Sequence, residues 1–285
     1  MTTHAPISTI SVVVLSYQAP ASLPAAIRSL QAQQPDCELL VVNSGGGGTQ
    51  RLLELAGIDC RIIEHGEQLN PGAVRNIGIG STSGDIVAFL ADDCRATDGW
   101  IAARLAKHAA GHRVVASALL PDHPDRLVSL ASHVMLFGRR MPGCPAPEAL
   151  LYGASYHRSI FETYGSFRED LRTGEDTDFH ARLTVDDRPV WAPEVRTIHK
   201  GPSTFVEFFR DQAARGRRTA GAWSQITGSR PAQVMRNVLE RTGSILRLAP
   251  KVVPRRTIPL ALPGLVIAGN IAYAWGALRY RPARE

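Results

Sequence analysis

Two adjacent acidic residues follow an apolar run directly. Asp92 and Asp93 come after residues 85–90, Asp-Ile-Val-Ala-Phe-Leu, a composition typical of a buried strand. Neighbouring carboxylates repel each other unless a cation lies beside them. Mg²⁺ or Mn²⁺ takes one or two carboxylates together with phosphate oxygens of a substrate. A solvated turn or the start of a helix would explain an Asp-Asp pair alone, but its place at a strand end favours a metal site.

A second acidic group lies in Gly174-Glu-Asp-Thr-Asp178, just before a helical stretch. Carboxylates at a helix N-terminus are stabilised by the helix dipole, which is a sufficient explanation for Glu175 or Asp178. The chemical alternative is a general base within reach of an acceptor hydroxyl.

A third group is Asn70-Pro-Gly-Ala-Val-Arg-Asn-Ile-Gly78. Proline near the first turn predicts that a helix opens here, and a helix N-terminus can receive an anion. We expect Arg75 to pair with a phosphate or a base carbonyl.

Strand-like and helix-like stretches alternate around these residues. β-Branched runs at 10–16, 38–43, 60–64 and 85–90 alternate with helical spacing at 22–33 and after Pro71. This pattern predicts an α/β fold with a mostly parallel sheet. Ligands of such sheets bind at the carboxyl ends of the strands. We therefore expect one edge to gather Ser16, Tyr17, Asn43, Asp92 and Asp93.

The second half is less regular. Residues 120–150 are weakly periodic and are interpreted as a long connection over the site. Further strand material is expected at 190–198, and one or two helices at 203–225.

Charge divides the chain unevenly. Residues 1–199 carry 17 Lys/Arg against 22 Asp/Glu, whereas residues 200–285 carry 15 against 4. A net charge of +11 in the last part indicates a polyanionic partner, either anionic lipid or nucleic acid. The four cysteines form no close pair and no signal peptide is visible, so a reducing, cytoplasmic setting is expected.

The end of the chain has the features of a membrane-associating segment. No charged residue occurs from Thr257 to Leu278, a run of 22 positions flanked by arginines on both sides, and about 20 apolar residues span a bilayer. Prolines and glycines interrupt the run. Positive charge on both flanks does not set an orientation and suits a re-entrant or interfacial hairpin with both ends cytoplasmic. Upstream, Val238, Ile245 and their neighbours predict a basic amphipathic helix. The alternative is that both helices pack on the protein as a buried lid.

Taken together, the motifs resemble glycosyltransferase family 2, which has the GT-A fold. They occur in the family's order: Val14-Leu-Ser-Tyr17, Leu40-Val-Val-Asn-Ser-Gly45, Gly72-Ala-Val-Arg-Asn-Ile-Gly78, Phe89-Leu-Ala-Asp-Asp93, Tyr152-Gly-Ala-Ser-Tyr156 with Gly165-Ser-Phe167, and Gly174-Glu-Asp176, with His199 where the family often has a late metal-binding histidine.

The resemblance implies an inverting transferase that uses a nucleotide-sugar donor. It places Ser16, Tyr17, Asn43, Arg75, Asp92 and Asp93 on the donor, Asp93 and His199 on Mn²⁺ or Mg²⁺, Asp176 as the general base, and Glu175 as an orienting residue. A lone histidine beside a strand is also often structural. Two positions depart from the family pattern: Asn43 stands where an Asp commonly reads uracil, and Ala91 replaces the first acid of the DXD motif.

The resemblance also implies a domain plan. We expect a Rossmann-like mixed sheet flanked by helices over residues 1–225, with a nucleotide-binding half at 8–118 and an acceptor half at 119–225. The resemblance does not extend to residues 231–285. From their charge and their uncharged run, we expect them to form a basic amphipathic helix plus an apolar hairpin or membrane segment, at the cytoplasmic face of the inner or plasma membrane, peripheral or C-terminally inserted.

The predicted function is transfer of a sugar from a UDP-, GDP- or TDP-sugar to a glycan or lipid-linked acceptor of the cell envelope. The alternative is a catalytically degenerate GT-A module that binds nucleotide or glycan at the membrane. A nucleic-acid partner is not expected, because no helix-turn-helix or RNP-like motif is present.

Overall fold

The computed structural model describes residues 9–227, 231–253 and 260–280; for residues 221–227 and 231–235 it describes the backbone only. The chain divides into two compact units, called unit 1 and unit 2. Unit 1 contains residues 1–119 and 150–199, and unit 2 contains residues 120–149 and 200–285. These boundaries differ from the predicted ones, because residues 120–149 and the helix after residue 200 group with the C-terminal helices.

Unit 1 is an α/β layer structure. Its strands are β1 (Ile10–Tyr17), β2 (Glu38–Ser44), β3 (Arg61–His65), β4 (Ile86–Ala91), β5 (Cys94–Ala96), β6 (Val114–Pro121), β7 (Ser155–His157) and β8 (Val190–His199). Its helices are α1 (Leu23–Gln31), α2 (Thr49–Leu55), α3 (Pro71–Gly80), α4 (Trp100–Ala109), α6 (Ser159–Tyr164) and α7 (Glu175–Arg182).

The strands form one mixed sheet in the order β3-β2-β1-β4-β7-β6-β8-β5. The first four strands are parallel neighbours, β7 runs antiparallel to β4 and β6, and β5 runs antiparallel to β8. The four predicted strands in the first 91 residues and the strand expected near 190–198 are confirmed. The parallel part is therefore the half in which strand-end residues gather.

Both faces of this sheet are covered, which explains the continuous apolar run of β1. Val12 and Val14 face the cluster that contains Leu23 and Ile27 of α1. Val13 faces the opposite cluster, with Phe89. Successive side chains of a strand point to opposite faces, so a strand buried on both faces loses its polar alternation.

Unit 2 consists of helices: α5 (Leu127–Phe137), α8 (Phe205–Thr227), α9 (Pro231–Val252) and α10 (Leu262–Leu278). The interpretation of residues 120–150 as a long connection is wrong, because α5 lies within them. Residues 128–135 of α5 are all buried. Because α5 is buried on all sides, its sequence lacks the alternation of apolar and exposed polar faces that marks a surface helix.

Helices α8 and α10 are in direct backbone contact. A Cβ at Gly216 of α8 would lie 1.9 Å from the carbonyl oxygen of Tyr273, and one at Gly276 of α10 would lie 1.9 Å from that of Ala213. Only glycine fits at these two points. The helix pair is therefore fixed closely by two reciprocal contacts.

The predicted C-terminal membrane segment is only partly within the described residues. Residues 257–259 of the uncharged run, and the arginines at 255, 256, 281 and 284, lie outside them. Among the helices that the structure describes, none has the length and apolar character needed to cross a membrane.

Candidate active site

The parallel strands bring the predicted donor residues to one edge of the sheet. Ser16 of β1 is in register with Asn43 of β2, and the Asp92 amide donates to the Leu15 carbonyl 3.0 Å away. The amide of Tyr17 donates to Asp92 Oδ2 at 3.0 Å. The ends of three neighbouring strands thus bring together the residues expected from the strand order: Ser16, Tyr17, Asn43 and Asp92.

Asp92 lies in a setting that opposes its ionisation. Burial raises the pKa of this carboxyl above its ordinary value, and the hydrogen bond from the Tyr17 amide only partly opposes the effect. The charge of neighbouring Asp93 adds to the rise. A polar or cationic group placed at this edge would favour the charged form of Asp92.

Asn43 is fully buried, and both ends of its amide bind the backbone. Its Oδ1 accepts from the Ala19 amide at 3.1 Å, and its Nδ2 donates to the Gly46 carbonyl at 2.7 Å. The side chain thus ties the turn after β1 to the glycine run after β2. Its expected contact with a nucleobase stays a prediction, and the structure gives Asn43 a loop-ordering role as well.

The glycine run explains how Tyr17 is placed. Gly45 has φ +78°, and a Cβ there would lie 2.6 Å from Tyr17 Cε2. The Tyr17 ring therefore lies directly on the backbone of the run, with 45% of the residue exposed. An exposed ring held flat by backbone is suited to stack on a planar ligand.

Asp93 and His199 are brought together by strand pairing. Cys94 of β5 is the register partner of His199 at the end of β8. As a result, His199 Nε2 lies 3.4 Å from Asp93 Oδ2. The side chain of Asp93 is 43% exposed and that of His199 17%, so the pair faces outward from the sheet and is open to a ligand.

This pair fits a hard divalent cation that takes its remaining ligands from a substrate. Mg²⁺ is usually bound by one or two carboxylates plus phosphate oxygens and water. Mn²⁺ likewise favours carboxylate oxygens, and neutral imidazole is a common metal ligand in proteins. No group of three or more His, Cys, Asp or Glu side chains that could hold a metal occurs in the described residues.

The second half of the site is built around Arg75 of α3. Its Nη1 forms an ion pair with Glu175 Oε1, and its Nη2 lies 3.3 Å from Asp176 Oδ1. Arg75 and Glu175 are almost entirely buried, whereas the side chain of Asp176 keeps 24% exposure. The structure thus gives Arg75 contacts other than the phosphate or base carbonyl expected from the sequence.

Aromatic rings surround the guanidinium. It lies 5.4 Å from the centre of the Phe89 ring and 5.3 Å from that of Phe167. Burial by itself lowers the pKa of Arg75, but the charges of Asp176 and Glu175 outweigh it and raise the pKa above its ordinary value. Arg75 is a fixed cation at every accessible pH, and it holds the two carboxylates at one place.

Helix α3 also holds the loop that precedes these carboxylates. Asn76 Nδ2 donates to the Phe167 carbonyl at 2.9 Å, and its Oδ1 accepts from the Phe167 amide at 3.0 Å. A Cβ at Gly72 would lie 2.1 Å from the Arg168 carbonyl oxygen, so this position has no room for a larger residue. The motif from Gly72 to Asn76 therefore packs against, and hydrogen-bonds to, the start of the loop that leads to Asp176.

Other residues of α7, the helix that carries Asp176, make polar contacts that sequence reasoning missed. The hydroxyls of Tyr152 and Thr177 lie 2.9 Å apart, and the Tyr156 hydroxyl lies 2.8 Å from His180 Nε2. The two tyrosines belong to the Tyr152-to-Tyr156 motif. Their spacing in the sequence matched the family motif but did not indicate which side chains they contact. Asp178, by contrast, lies near two arginines, 3.7 Å from Arg168 and 3.5 Å from Arg182.

This mixed sheet, with acids at the ends of its parallel strands, is the architecture of GT-A glycosyltransferases. The model of the family described as "Glycosyl transferase family 2" matches residues 11–165, more than half of the chain. The chain belongs to glycosyl transferase family 2 and is a glycosyltransferase, as the sequence motifs predicted.

Individual relatives are more distant. The chain is 26% identical over 176 residues to the pre-mycofactocin glycosyltransferase of Mycobacterium tuberculosis, and the match covers 55% of this chain and 36% of that protein. The chain therefore spans only about a third of the length of this curated relative.

Solved structures support the fold. A mannosyltransferase from Pyrobaculum calidifontis, solved with GDP-Man and Mn²⁺, is similar with a TM-score of 0.57 at 16% identity, over 95% of this chain and 87% of that one. S. aureus TarS, residues 1–349 with UDP-GlcNAc, is similar with a TM-score of 0.51 at 15% identity, over 94% and 89%.

Proposed function

We propose that this glycosyltransferase moves a sugar, with inversion, from a nucleotide diphosphate donor to a hydroxyl of a lipid-linked or cell-envelope glycan acceptor. The observation that carries the proposal is the carboxylate pair on Arg75. Glu175 is buried and ion-paired, while Asp176 shares the same guanidinium yet keeps 24% exposure. Of the two, Asp176 is the carboxylate that can reach a substrate.

Asp176 would act as the general base. Its carboxylate takes the proton of the acceptor hydroxyl as the hydroxyl oxygen attacks the anomeric carbon, on the face opposite the departing diphosphate. A single displacement of this kind inverts the configuration. Arg75 keeps the Asp176 carboxylate in place, and Glu175 shares the same guanidinium.

The donor would lie at the carboxyl edge of the parallel strands. Tyr17 offers an exposed ring for the base, and Ser16, Asn43 and Asp92 shape the floor beside it. Asp93 and His199 would hold Mn²⁺ or Mg²⁺, and such a cation, when bound, neutralises charge on the diphosphate leaving group. The Pyrobaculum neighbour was solved with GDP-Man and Mn²⁺ and TarS with UDP-GlcNAc, which supports a nucleotide sugar without choosing among UDP-, GDP- and TDP-sugars.

The place of action that we propose is the cytoplasmic face of the inner or plasma membrane. The support is the charge of the last 86 residues, 15 Lys/Arg against 4 Asp/Glu. Positive charge near a bilayer attracts anionic lipid.

A donor-hydrolysis screen tests this function. The full chain is incubated with UDP-, GDP- and TDP-sugars, with Mn²⁺ or with a chelator, and release of nucleoside diphosphate is followed by mass spectrometry. We expect release from one base class that requires the metal and is lost in Asp93→Asn. Tight nucleotide binding by calorimetry without any release would instead support the degenerate binding module.

A further inference from the structure

The outward face of α10 is as apolar as its buried face. Ile267, Ile271, Trp275 and Leu278 recur every three or four residues, and each is between 46% and 65% exposed. Residues at this spacing share one side of a helix. A helix that packs only on its own protein normally turns charged or polar residues to solvent, so this side of α10 has the composition of a contact surface.

Helix α8 extends this surface. Val206 and Phe209 are exposed beside it, and a groove of about 610 Å³ runs between the two helices, with Phe209, Ala213, Ile271 and Trp275 among its lining residues. The backbone contacts at Gly216 and Gly276 hold the helices together, so the groove is preformed. We call this surface the α8–α10 face: residues 206, 209, 210, 213, 217, 267, 271, 275 and 278.

The charges at the α8–α10 face are positive. Arg210 and Arg217 line the groove, and neither forms an ion pair within the part of the chain that the structure describes. Arg279 lies 4.1 Å over the ring of Trp275.

The acidic residues nearby on α8 are already occupied. Glu207 accepts hydrogen bonds from the Ser203 and Thr204 amides, and Asp211 pairs with Arg215 at 2.6 Å. Helix α10 has no acidic residue. The face thus combines an apolar centre with unneutralised arginines.

We propose that the α8–α10 face docks on an anionic phospholipid bilayer. Its apolar stripe would enter the boundary between headgroups and acyl chains, with one acyl chain in the groove, and Arg210 and Arg217 would bind lipid phosphates. A Trp next to an Arg suits this depth, because the ring is apolar with one polar edge and the Arg stem is apolar below a charged head. The membrane location is taken from the function proposed above, whereas the choice of this face rests on the exposed residues and charges of α8 and α10.

The same charges disfavour the two other occupants. A second copy of the chain, related by a two-fold axis, would place the arginines of one groove near those of the other. A nucleic acid would meet exposed Ile, Trp and Leu side chains at the centre of the contact. Protein surfaces that bind nucleic acid are instead more polar than protein–protein interfaces.

Vesicle co-sedimentation of the full chain, without donor, tests the proposal. Vesicles of phosphatidylcholine alone are compared with vesicles that also contain phosphatidylglycerol. We expect binding to the anionic vesicles, weakened about tenfold or more by Ile271→Ser with Trp275→Ser, since each loses buried apolar area. Arg210→Gln with Arg217→Gln should weaken binding by about fivefold per arginine, and only to anionic vesicles.

Matched controls come from unit 1. Leu55→Ser with Val185→Ser removes apolar side chains that are at least as exposed, and Arg51→Gln with Arg188→Gln removes two exposed arginines. Both control pairs should bind vesicles like the wild type. If the variant with Ile271→Ser and Trp275→Ser does not fold, the variant with Arg210→Gln and Arg217→Gln still tests the proposal.

Three results would overturn the proposal. One is equal vesicle binding by the wild type and both α8–α10 face variants. Another is a wild-type dimer, by sedimentation equilibrium, that the Ile271 and Trp275 changes dissociate while no vesicle binding occurs. The third is tighter binding to duplex DNA than to anionic vesicles at the same salt. Donor hydrolysis measured without vesicles reports separately on the transferase proposal, so the two can fail independently.

Discussion

Replacement of Arg75 by methionine should destabilise the protein severely, and a second change should restore it. Methionine keeps much of the side-chain volume but removes the cation shared by Glu175 and Asp176. Asp176 is partly solvated, whereas Glu175 is 8% exposed and would remain as an uncompensated buried charge. Breaking a buried ion pair from one side costs about 3–5 kcal/mol, out of a total of roughly 5–15 kcal/mol for a domain.

Thermal unfolding measures this cost. For a domain of about 150–250 residues, 1 kcal/mol corresponds to about 2–4 °C in Tm, so Arg75→Met should melt roughly 6–20 °C below the wild type. Adding Glu175→Gln removes the buried charge and should recover at least half of the loss. Arg75→Lys keeps a charge but not the two-pronged contact, and should fold with reduced turnover.

Two results would refute the reasoning. Arg75→Met could melt within about 2 °C of the wild type, in which case the ion pair contributes little. The Arg75→Met, Glu175→Gln protein could instead be no more stable than the single variant, in which case packing against Phe89 and Phe167, rather than charge, accounts for the loss.

Further outcomes concern the metal, the base and a partly buried histidine. Asp93→Asn or metal chelation should abolish donor turnover while the melting temperature of the apo protein stays within a few degrees; metal-independent turnover would contradict this. Asp176→Asn should slow transfer about 10²–10⁴-fold with nucleotide affinity nearly unchanged. Asp178→Asn removes only the partly exposed ion pairs with Arg168 and Arg182 and should change stability by about 1 kcal/mol or less rather than turnover; equal rates in both variants would assign the base elsewhere. Burial lowers the pKa of His108 from 6.5 to about 4. The folded state therefore binds fewer protons than the unfolded state in that window, and stability should fall by up to about 3 kcal/mol as pH drops from 6.5 to 4; denaturant titrations across this range should show a flatter profile for His108→Gln.

The sequence predicted which residues at the strand ends lie together, and it did so for a physical reason. Parallel strands with helical crossovers leave their carboxyl ends at one edge, so Ser16, Asn43 and Asp92 had to meet once β1, β2 and β4 were placed.

The sequence did not predict contacts that depend on irregular chain. Arg75 lies 100 residues from Glu175, and nothing in either motif indicates that they pair. The same holds for α5, whose burial on all sides removes the period that marks a surface helix. The helix predicted upstream of the uncharged run is present as α9. Its apolar residues Val238 and Ile245 pack in the buried clusters of unit 2, which agrees with the alternative of a packed helix rather than with a stripe exposed to a membrane interface.

The packing in unit 2 also changes how membrane binding should be tested. Residues of α9 and α10, among them Leu248 and Val266, share one buried cluster with Val134 of α5 and Phe208 of α8. Deleting residues 231–285 would expose that cluster and favour aggregation. Point changes on exposed side chains are therefore the cleaner experiment.

The pairing of β5 with β8 has a consequence for the order in which the protein matures. Asp93 emerges early in synthesis, but its neighbour His199 is the last residue of unit 1 and comes from a strand laid down about a hundred residues later. Contacts of such long sequence separation form slowly, and domains fold as units while the chain grows. A nascent chain with β1 to β4 in place would thus have Ser16, Asn43 and Asp92 together but not the Asp93–His199 pair, which we propose holds the cation. That pair would form only when β8 docks.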